Sequence, residues 1–468
     1  MLNKDDSFVE KTKEKSLHDK LPHDEFFNKL IAKEYARISE KGHTYLDFTG
    51  GNLYAKSHLE KHYKLLQQNV FGNPHSSNPT SQFSTRLVES SRKKVLEFFN
   101  AYDYFCVFTQ NASGALKIIG ESYPFNKKSA LLLLSDNHNS VNGIREYCAN
   151  KGGYFEYSPI QYEDLRIDSD RLNFLLKSRT EYSNKLFAFP AQSNVSGVKH
   201  DLKWIEKAQK LGWDVLLDAA AFVPTSKLDL STIKPDFVSI SFYKIFGYPT
   251  GVGCLLIRKS KFDKLVKPWF AGGTVTLASV RTRHHYLAKN HERFEDGTIN
   301  YLDIPAVKTG LDYIESIGMQ RINERITGLT NYLVSEIRKI RHSSGKKIAK
   351  IYGPEDRKNT GGTIVVNFFD KNGKIYPFEQ IEQMAKDKLI SIRSGCFCNP
   401  GIDETNNCLS SEELSNYFSS RDNGNYHDMI NFLNKMRGAT RISVGIATGR
   451  KEIETFVSFV KNLKDKTA

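Results

Sequence analysis

One repeated feature limits what this chain can fold into: an unbroken apolar run, a polar loop and a helical stretch, recurring through Phe105, Leu132, Phe187, Val215 and Val238. Apolar runs without alternation belong to strands covered on both faces, and a helix between two such runs returns the chain to lay the next strand parallel to the last. The pattern predicts an α/β fold, a mostly parallel central sheet with helices on both faces. Ligands of such sheets bind beyond the carboxyl ends of the strands. Chemistry is therefore expected where the apolar runs stop.

The run from Tyr104 to Thr109 gives way to Gln110-Asn111-Ala112-Ser113-Gly114-Ala115. Residues this small can open a helix whose free amides, with the Ser113 hydroxyl, face a phosphate. Leu131 to Leu134 is followed by His138, which could lie flat on an aromatic ring or simply cap a helix. Leu186 to Pro190 leads to Asn194, a donor for a phenolic oxygen or a turn former. Trp213 to Leu217 ends in Asp218, and Ala219, Ala220 and Ala221 after it are too small to cover its carboxylate. Past Ser239-Ile240-Ser241-Phe242-Tyr243, Lys244 heads a loop broken by Gly247, Pro249, Gly251 and Gly253, which holds it short and rigid. A lone lysine there would ordinarily be solvated. With Asp218, His138, Asn194 and Ser113 on the same sheet edge, it fits the imine-forming lysine of pyridoxal phosphate, and Asp218 fits the partner of that cofactor's ring nitrogen. A carboxylate that keeps the pyridinium protonated lets the ring withdraw electrons, and a partly desolvated amine has a lowered pKa, so it can act as nucleophile and base.

With 468 residues, 39% of them hydrophobic, the chain can bury cores for two or three domains. No run approaches the ~18 apolar residues of a membrane span, and the first 26 residues lack the apolar centre of a signal peptide. A soluble, cytoplasmic protein with no membrane partner is expected. The net charge of +14 is spread among carboxylates, which argues against nucleic acid and for a solvated surface or an acidic protein partner. Six cysteines without paired zinc spacing argue against a disulfide framework, and no metal site is expected.

Three domains are expected: an arm over residues 1–44 with one amphipathic helix carrying Phe26, Phe27, Leu30, Ile31 and Tyr35; a large ligand-binding domain over 45–304; and a smaller α+β domain over 305–468. A helix is expected over 86–100 in the large domain. In the small one a helical run over 304–340 precedes strands over 362–368 and 389–392, with a helix near 378–385 between them. The loop from Arg393 to Gly401 carries two thiols, Cys396 and Cys398, among glycine and proline, and the polar stretch over 403–425 is expected to be mobile.

These runs resemble the class V aminotransferase-fold enzymes of the cysteine desulfurase group, and within it the desulfurase-like domain of molybdenum cofactor sulfurases. The resemblance rests on Asp218-Ala219-Ala220, Ser241 to Gly251, Phe294-Glu295-Asp296-Gly297-Thr298-Ile299, Arg393 to Gly401 and Arg441-Ile442-Ser443, and spans residue 45 to the end. It implies fold type I of the pyridoxal phosphate enzymes and a homodimer. By it Lys244 is the imine lysine, Asp218 the ring-nitrogen partner, His138 the stacking residue and Asn194 the donor to the ring oxygen. The Ala112 amide, Ser113 and Ser241 hold the phosphate, Tyr243 stands where many desulfurases place a histidine, and Thr274 reaches the phosphate of the neighbouring subunit. Arg441 clamps the substrate carboxylate as a fork, and Cys398 takes sulfur from L-cysteine as a persulfide, leaving L-alanine and passing the sulfur to an acceptor protein; on physical grounds a positive neighbour such as Arg393, or loop closure, should favour the Cys398 thiolate. The same fold hosts aminotransferases, cysteine lyases and epimerases, in which Cys398 would be a bystander; a non-catalytic sulfur-relay subunit is the reading of another class. Ala221 stands where many desulfurases carry glutamine, and residues 402–436 match the group poorly. Full molybdenum cofactor sulfurases carry a further carboxyl-terminal domain, so the sulfur is expected to reach a separate protein or to go elsewhere.

Overall fold

The apolar runs pair into a seven-stranded sheet: β1 (Tyr104–Thr109), β2 (Ser129–Leu134), β3 (Tyr154–Ser158), β4 (Asn184–Pro190), β5 (Asp214–Asp218), β6 (Phe237–Ser241) and β7 (Gly253–Arg258), in the spatial order β1-β7-β6-β5-β4-β2-β3. Strands β2 to β6 run parallel, and β7 lies antiparallel between β6 and β1. The computed structural model describes residues 21–435 and 437–468, and most of the expected polar lead lies outside them. Every residue of β2 and β6 is buried, as an unalternated run requires. Leu131 and Leu133 join one apolar cluster and Leu132 and Leu134 the other, so alternate residues serve opposite faces of the sheet.

A second sheet has four antiparallel strands, β8 (Ala349–Ile351), β9 (Thr363–Phe368), β10 (Arg393–Gly395) and β11 (Ala439–Ser443), ordered β8-β9-β11-β10. The segment over 44–47 is tied to this layer: Thr44–Tyr45 pairs in parallel with Ile390–Ser391, and Asp47 bridges Ser443.

The helical run expected over 304–340 is two helices, Ile304–Ile317 and Met319–Lys339, parted at Gly318, whose φ of +90° is strained for any side chain. The first packs against Lys56–Gln68 and Pro79–Phe98 beside the large sheet, and the second against Arg450–Lys461. The helix expected over 86–100 starts earlier, at Pro79, because the Asn78 side chain caps it by accepting from the Ser81 amide and proline fits the first helical position. The polar stretch over 403–425 holds the end of the helix Pro400–Asn406 and all of the helix Ser411–Ser419, and leads into the helix Tyr426–Leu433. Capping boxes open the last two, Ser410 with Glu413 and Asn425 with Asp428, so paired polar residues rather than apolar content fix where these helices begin. Among the described residues no helix is long and apolar enough to cross a membrane.

Candidate active site

The carboxyl ends of β1, β2, β4, β5 and β6 open into one cleft of about 180 Å³, whose lining includes Ala112, Ser113, His138, Asn194, Asp218, Ser241, Tyr243 and Lys244. Lys244 sits in the short helix Tyr243–Phe246, which Gly247 ends at a φ of +84°. A Cβ on Gly247 would stand 2.3 Å from the Tyr54 amide nitrogen, so only glycine lets the lysine turn meet the 53–54 segment. Burial lowers the Lys244 pKa, the Asp218 carboxylate opposes that shift, and the Arg441 and Arg393 guanidiniums add to it. Such an amine is neutral more often at pH 7 than a free lysine.

Asp218 closes β5. Its Oδ1 accepts from the Ser239 hydroxyl at 3.0 Å and the Ala220 amide at 3.1 Å, and the three alanines that follow offer no side-chain donor to the other oxygen. His138 Nδ1 accepts from the Ser140 amide at 3.1 Å, which places the imidazole proton on Nε2. Burial lowers the His138 pKa; Asp218 opposes this and Lys244 and Arg441 reinforce it. The histidine thus both caps a turn and lines the cleft. At the opening of the helix Ala112–Ser122, Asn111 Oδ1 takes the Gly114 amide at 3.0 Å, Ser241 Oγ takes the Ala112 amide at 2.8 Å, and the Ser113 and Ser140 hydroxyls meet at 2.6 Å. First-turn amides and hydroxyls of this kind suit an anion. Together with the carboxylate, the neutral imidazole and the depressed amine, they fit a phosphorylated pyridine aldehyde.

Four of the expected residues stand outside the cleft lining. Cys398 is exposed and Cys396 half-buried, with burial raising the Cys396 pKa. Their loop is nonetheless docked on the cleft: the Asn139 amide donates to the Cys398 carbonyl at 2.7 Å, and Asn194 Nδ2 donates to the Phe397 carbonyl at 2.9 Å. Asn399 Nδ2 donates to Asp136 Oδ1 at 2.7 Å and to Asn194 Oδ1 at 3.0 Å. Asp136, fully buried, also accepts from the Ser193 hydroxyl at 2.8 Å and pairs with His200 Nε2 at 2.9 Å. Phe397 and Cys398 have φ of 57° and 54°, a left-handed backbone that costs about 1–3 kcal/mol at each side-chain-bearing residue unless its surroundings hold it.

Arg441 is buried and Arg393 half-exposed, and both bind Asp47. Arg441 Nη2 donates to Oδ1 at 2.9 Å; Arg393 Nε and Nη2 donate to Oδ2 at 3.0 and 2.7 Å. Arg441 Nη1 donates to the Asn194 carbonyl at 2.9 Å, while its buried Nε has no partner among the described residues. Thr274 is buried in a turn, its hydroxyl bonded to Ala271 at 2.9 Å, at the foot of a hairpin formed by Val275–Ala278 and His285–Leu287. Sequence reasoning missed Asp47, Asp136 and Asn399 as site residues. Their signals were faint: a carboxylate before a glycine pair, another two residues ahead of His138, and the residue after Cys398.

The family model for class V aminotransferases matches residues 44–456. Among curated proteins, molybdenum cofactor sulfurase 3 of Aedes aegypti is 36% identical over 454 residues, covering 92% of this chain and 57% of that protein. The molybdenum cofactor sulfurase of Homo sapiens is 34% identical over 456 residues, covering 92% and 50%. The chain thus spans little more than half the length of the curated relatives it matches. Among solved structures, a cysteine desulfurase from Thermococcus onnurineus NA1 superposes with a TM-score of 0.77 at 23% identity, over 95% of this chain and 98% of that one. A family match over most of the chain, on a fold that carries its lysine and carboxylate at adjacent strand ends, means that the chain belongs to the class V aminotransferase family.

Proposed function

We propose that the cleft binds pyridoxal 5'-phosphate and L-cysteine, and that the chain is a cysteine desulfurase of the molybdenum cofactor sulfurase kind, which moves sulfur to Cys398 as a persulfide and releases L-alanine. The observation that carries this reading is the 2.7 Å bond from the Asn139 amide to the Cys398 carbonyl, which seats an exposed thiol turn beside His138 on the wall that also holds Lys244. Lys244, Asp218, His138, Asn194, Tyr243, Ser241, Ser113 and the Ala112 amide would hold the cofactor. Bound there, it supplies an electron sink for the substrate's α-carbon.

The chain's own groups supply the rest. Lys244, with its depressed pKa, accepts the α-proton and returns one. Asp218 keeps an oxygen for a protonated ring nitrogen. Tyr243, its pKa raised by burial, stays a neutral hydroxyl where many desulfurases carry histidine. Arg441 offers its unsatisfied Nε to the substrate carboxylate, with Arg393 close by. Cys398 Sγ, as thiolate, forms the S–S bond while the substrate's C–S bond breaks. The exposure of that thiol supports onward transfer to an acceptor protein. A homodimer belongs to the same reading: the hairpin above Thr274 bares Leu277, Val280 and Tyr286, an apolar face suited to a second copy, across which Thr274 would approach the other subunit's phosphate.

The purified protein is expected to show the absorption band of lysine-bound cofactor and to convert L-cysteine to alanine. Lys244→Ala should lose the band, and Cys398→Ser should keep it while losing sulfide release. Unchanged turnover in Cys398→Ser, or pyruvate in place of alanine, sinks the desulfurase reading.

A further inference from the structure

The two guanidiniums beside the cleft share one carboxylate. Arg393 grips Asp47 through Nε and Nη2, and Arg441 reaches it through Nη2 alone. The turn is built for this. The Gly50 and Gly51 amides return to the Asp47 carbonyl at 3.0 and 3.2 Å, and a Cβ on Gly50 would fall 2.5 Å from Asp47 Oδ2 and 2.6 Å from Arg393 Nη2. Two positive charges against one negative leave the cluster at a net charge of one. Arg441 is where that surplus is available: it is 3% exposed, and its Nε is buried without an acceptor among the described residues. A buried guanidinium N–H left unmet is costly, so the site is incomplete until one more anionic oxygen arrives.

We infer that Asp47 sets the carboxylate count of the site, so that it takes amino acids with one carboxylate and rejects those with two. This rests on the reading of the cleft as an amino-acid site. Arg441 can accept the α-carboxylate of a ligand. A second carboxylate on the same ligand finds Arg393 already filled by Asp47 and meets the Asp47 charge with no further cation in this three-residue cluster, and like charges so placed discriminate strongly. The cluster lies beside the catalytic lysine: the Tyr243 carbonyl accepts from the Asn52 amide at 3.3 Å, five residues past Asp47, and both arginines act on the Lys244 charge.

The test is spectral titration of cofactor-loaded protein with L-alanine and L-aspartate, which share the α-carboxylate and differ by the second one on the aspartate side chain. Wild type should bind L-aspartate at least ~10-fold more weakly than L-alanine, and Asp47→Asn should shrink that ratio at least ~10-fold. Arg393→Gln, at a half-exposed position, leaves Asp47 to neutralise Arg441 and should weaken L-alanine itself at least ~10-fold. Equal weakening of both ligands in Asp47→Asn is what a merely structural carboxylate would give, and it overturns the assignment, as does an unchanged ratio or unchanged L-alanine binding in Arg393→Gln. A wild type whose spectrum responds to no amino acid overturns the amino-acid reading itself, a result distinct from any of these.

Discussion

His58 is 1% exposed, its Nε2 lies 2.8 Å from the Ala306 carbonyl, and burial brings its pKa down to about 4; burial likewise takes His291 to about 3. A group whose pKa falls on folding binds its proton more readily when the chain unfolds. Above pH ~6.5 both histidines are neutral in either state and cost nothing, and between there and pH ~4 each draws the equilibrium toward the unfolded chain, by up to ~3 kcal/mol at His58. Thermal denaturation should show a lower Tm at pH 4.5 than at pH 7, and the gap should narrow in His58→Gln; an unaltered gap would remove His58 from the account. Single residues also show what the sequence could disclose. Lys244, Asp218 and His138, which line one cleft, could be placed on one sheet edge because each stands where a local apolar run stops. Asp47 and Asp136 were not legible, because what makes them matter is a partner 346 or 263 residues away, Arg393 in one case and Asn399 in the other.

Turns hold this site together more than helices do, and the one that presents Cys398 is the clearest. Asn399→Ala removes a donor from buried Asp136 and the cap that accepts from the Ile402 amide at 3.3 Å. It should cost about 1–3 kcal/mol, keep the cofactor band, and speed alkylation of Cys398 by iodoacetamide as the turn loosens; a thiol no more reactive than in wild type would count against the docking role. Gly247→Ala asks more. At a φ of +84°, with the Tyr54 amide nitrogen 2.3 Å from the new Cβ, the lysine turn must move, and a loss of at least ~2 kcal/mol together with loss of the cofactor band is expected. Element boundaries were the less legible part of the sequence for the same reason: the Asn78 cap and the Ser410 and Asn425 capping boxes are two- and three-residue signals that composition alone submerges.

At the scale of the whole molecule, the cleft belongs to the large sheet, the thiol and the two arginines to the second layer, and Asp47 to the amino-terminal segment that joins it. The parallel core was readable from its apolar runs, whereas this division of labour is a property of how distant segments meet. If the bared hairpin is where a second copy sits, Leu277→Asp with Val280→Asp should convert a dimer to a monomer in analytical ultracentrifugation and weaken cofactor retention; a dimer that survives both changes places the contact elsewhere. The pairing of Thr44 with Ile390 and of Asp47 with Ser443 has its own consequence in time. Strands β1 to β7 are all synthesised by residue 258, so a large sheet can collapse while residues 44–47 still wait for partners at 390 and 443. Loop closure over such separations is slow, and the carboxylate side of the site is therefore expected to mature after the large sheet.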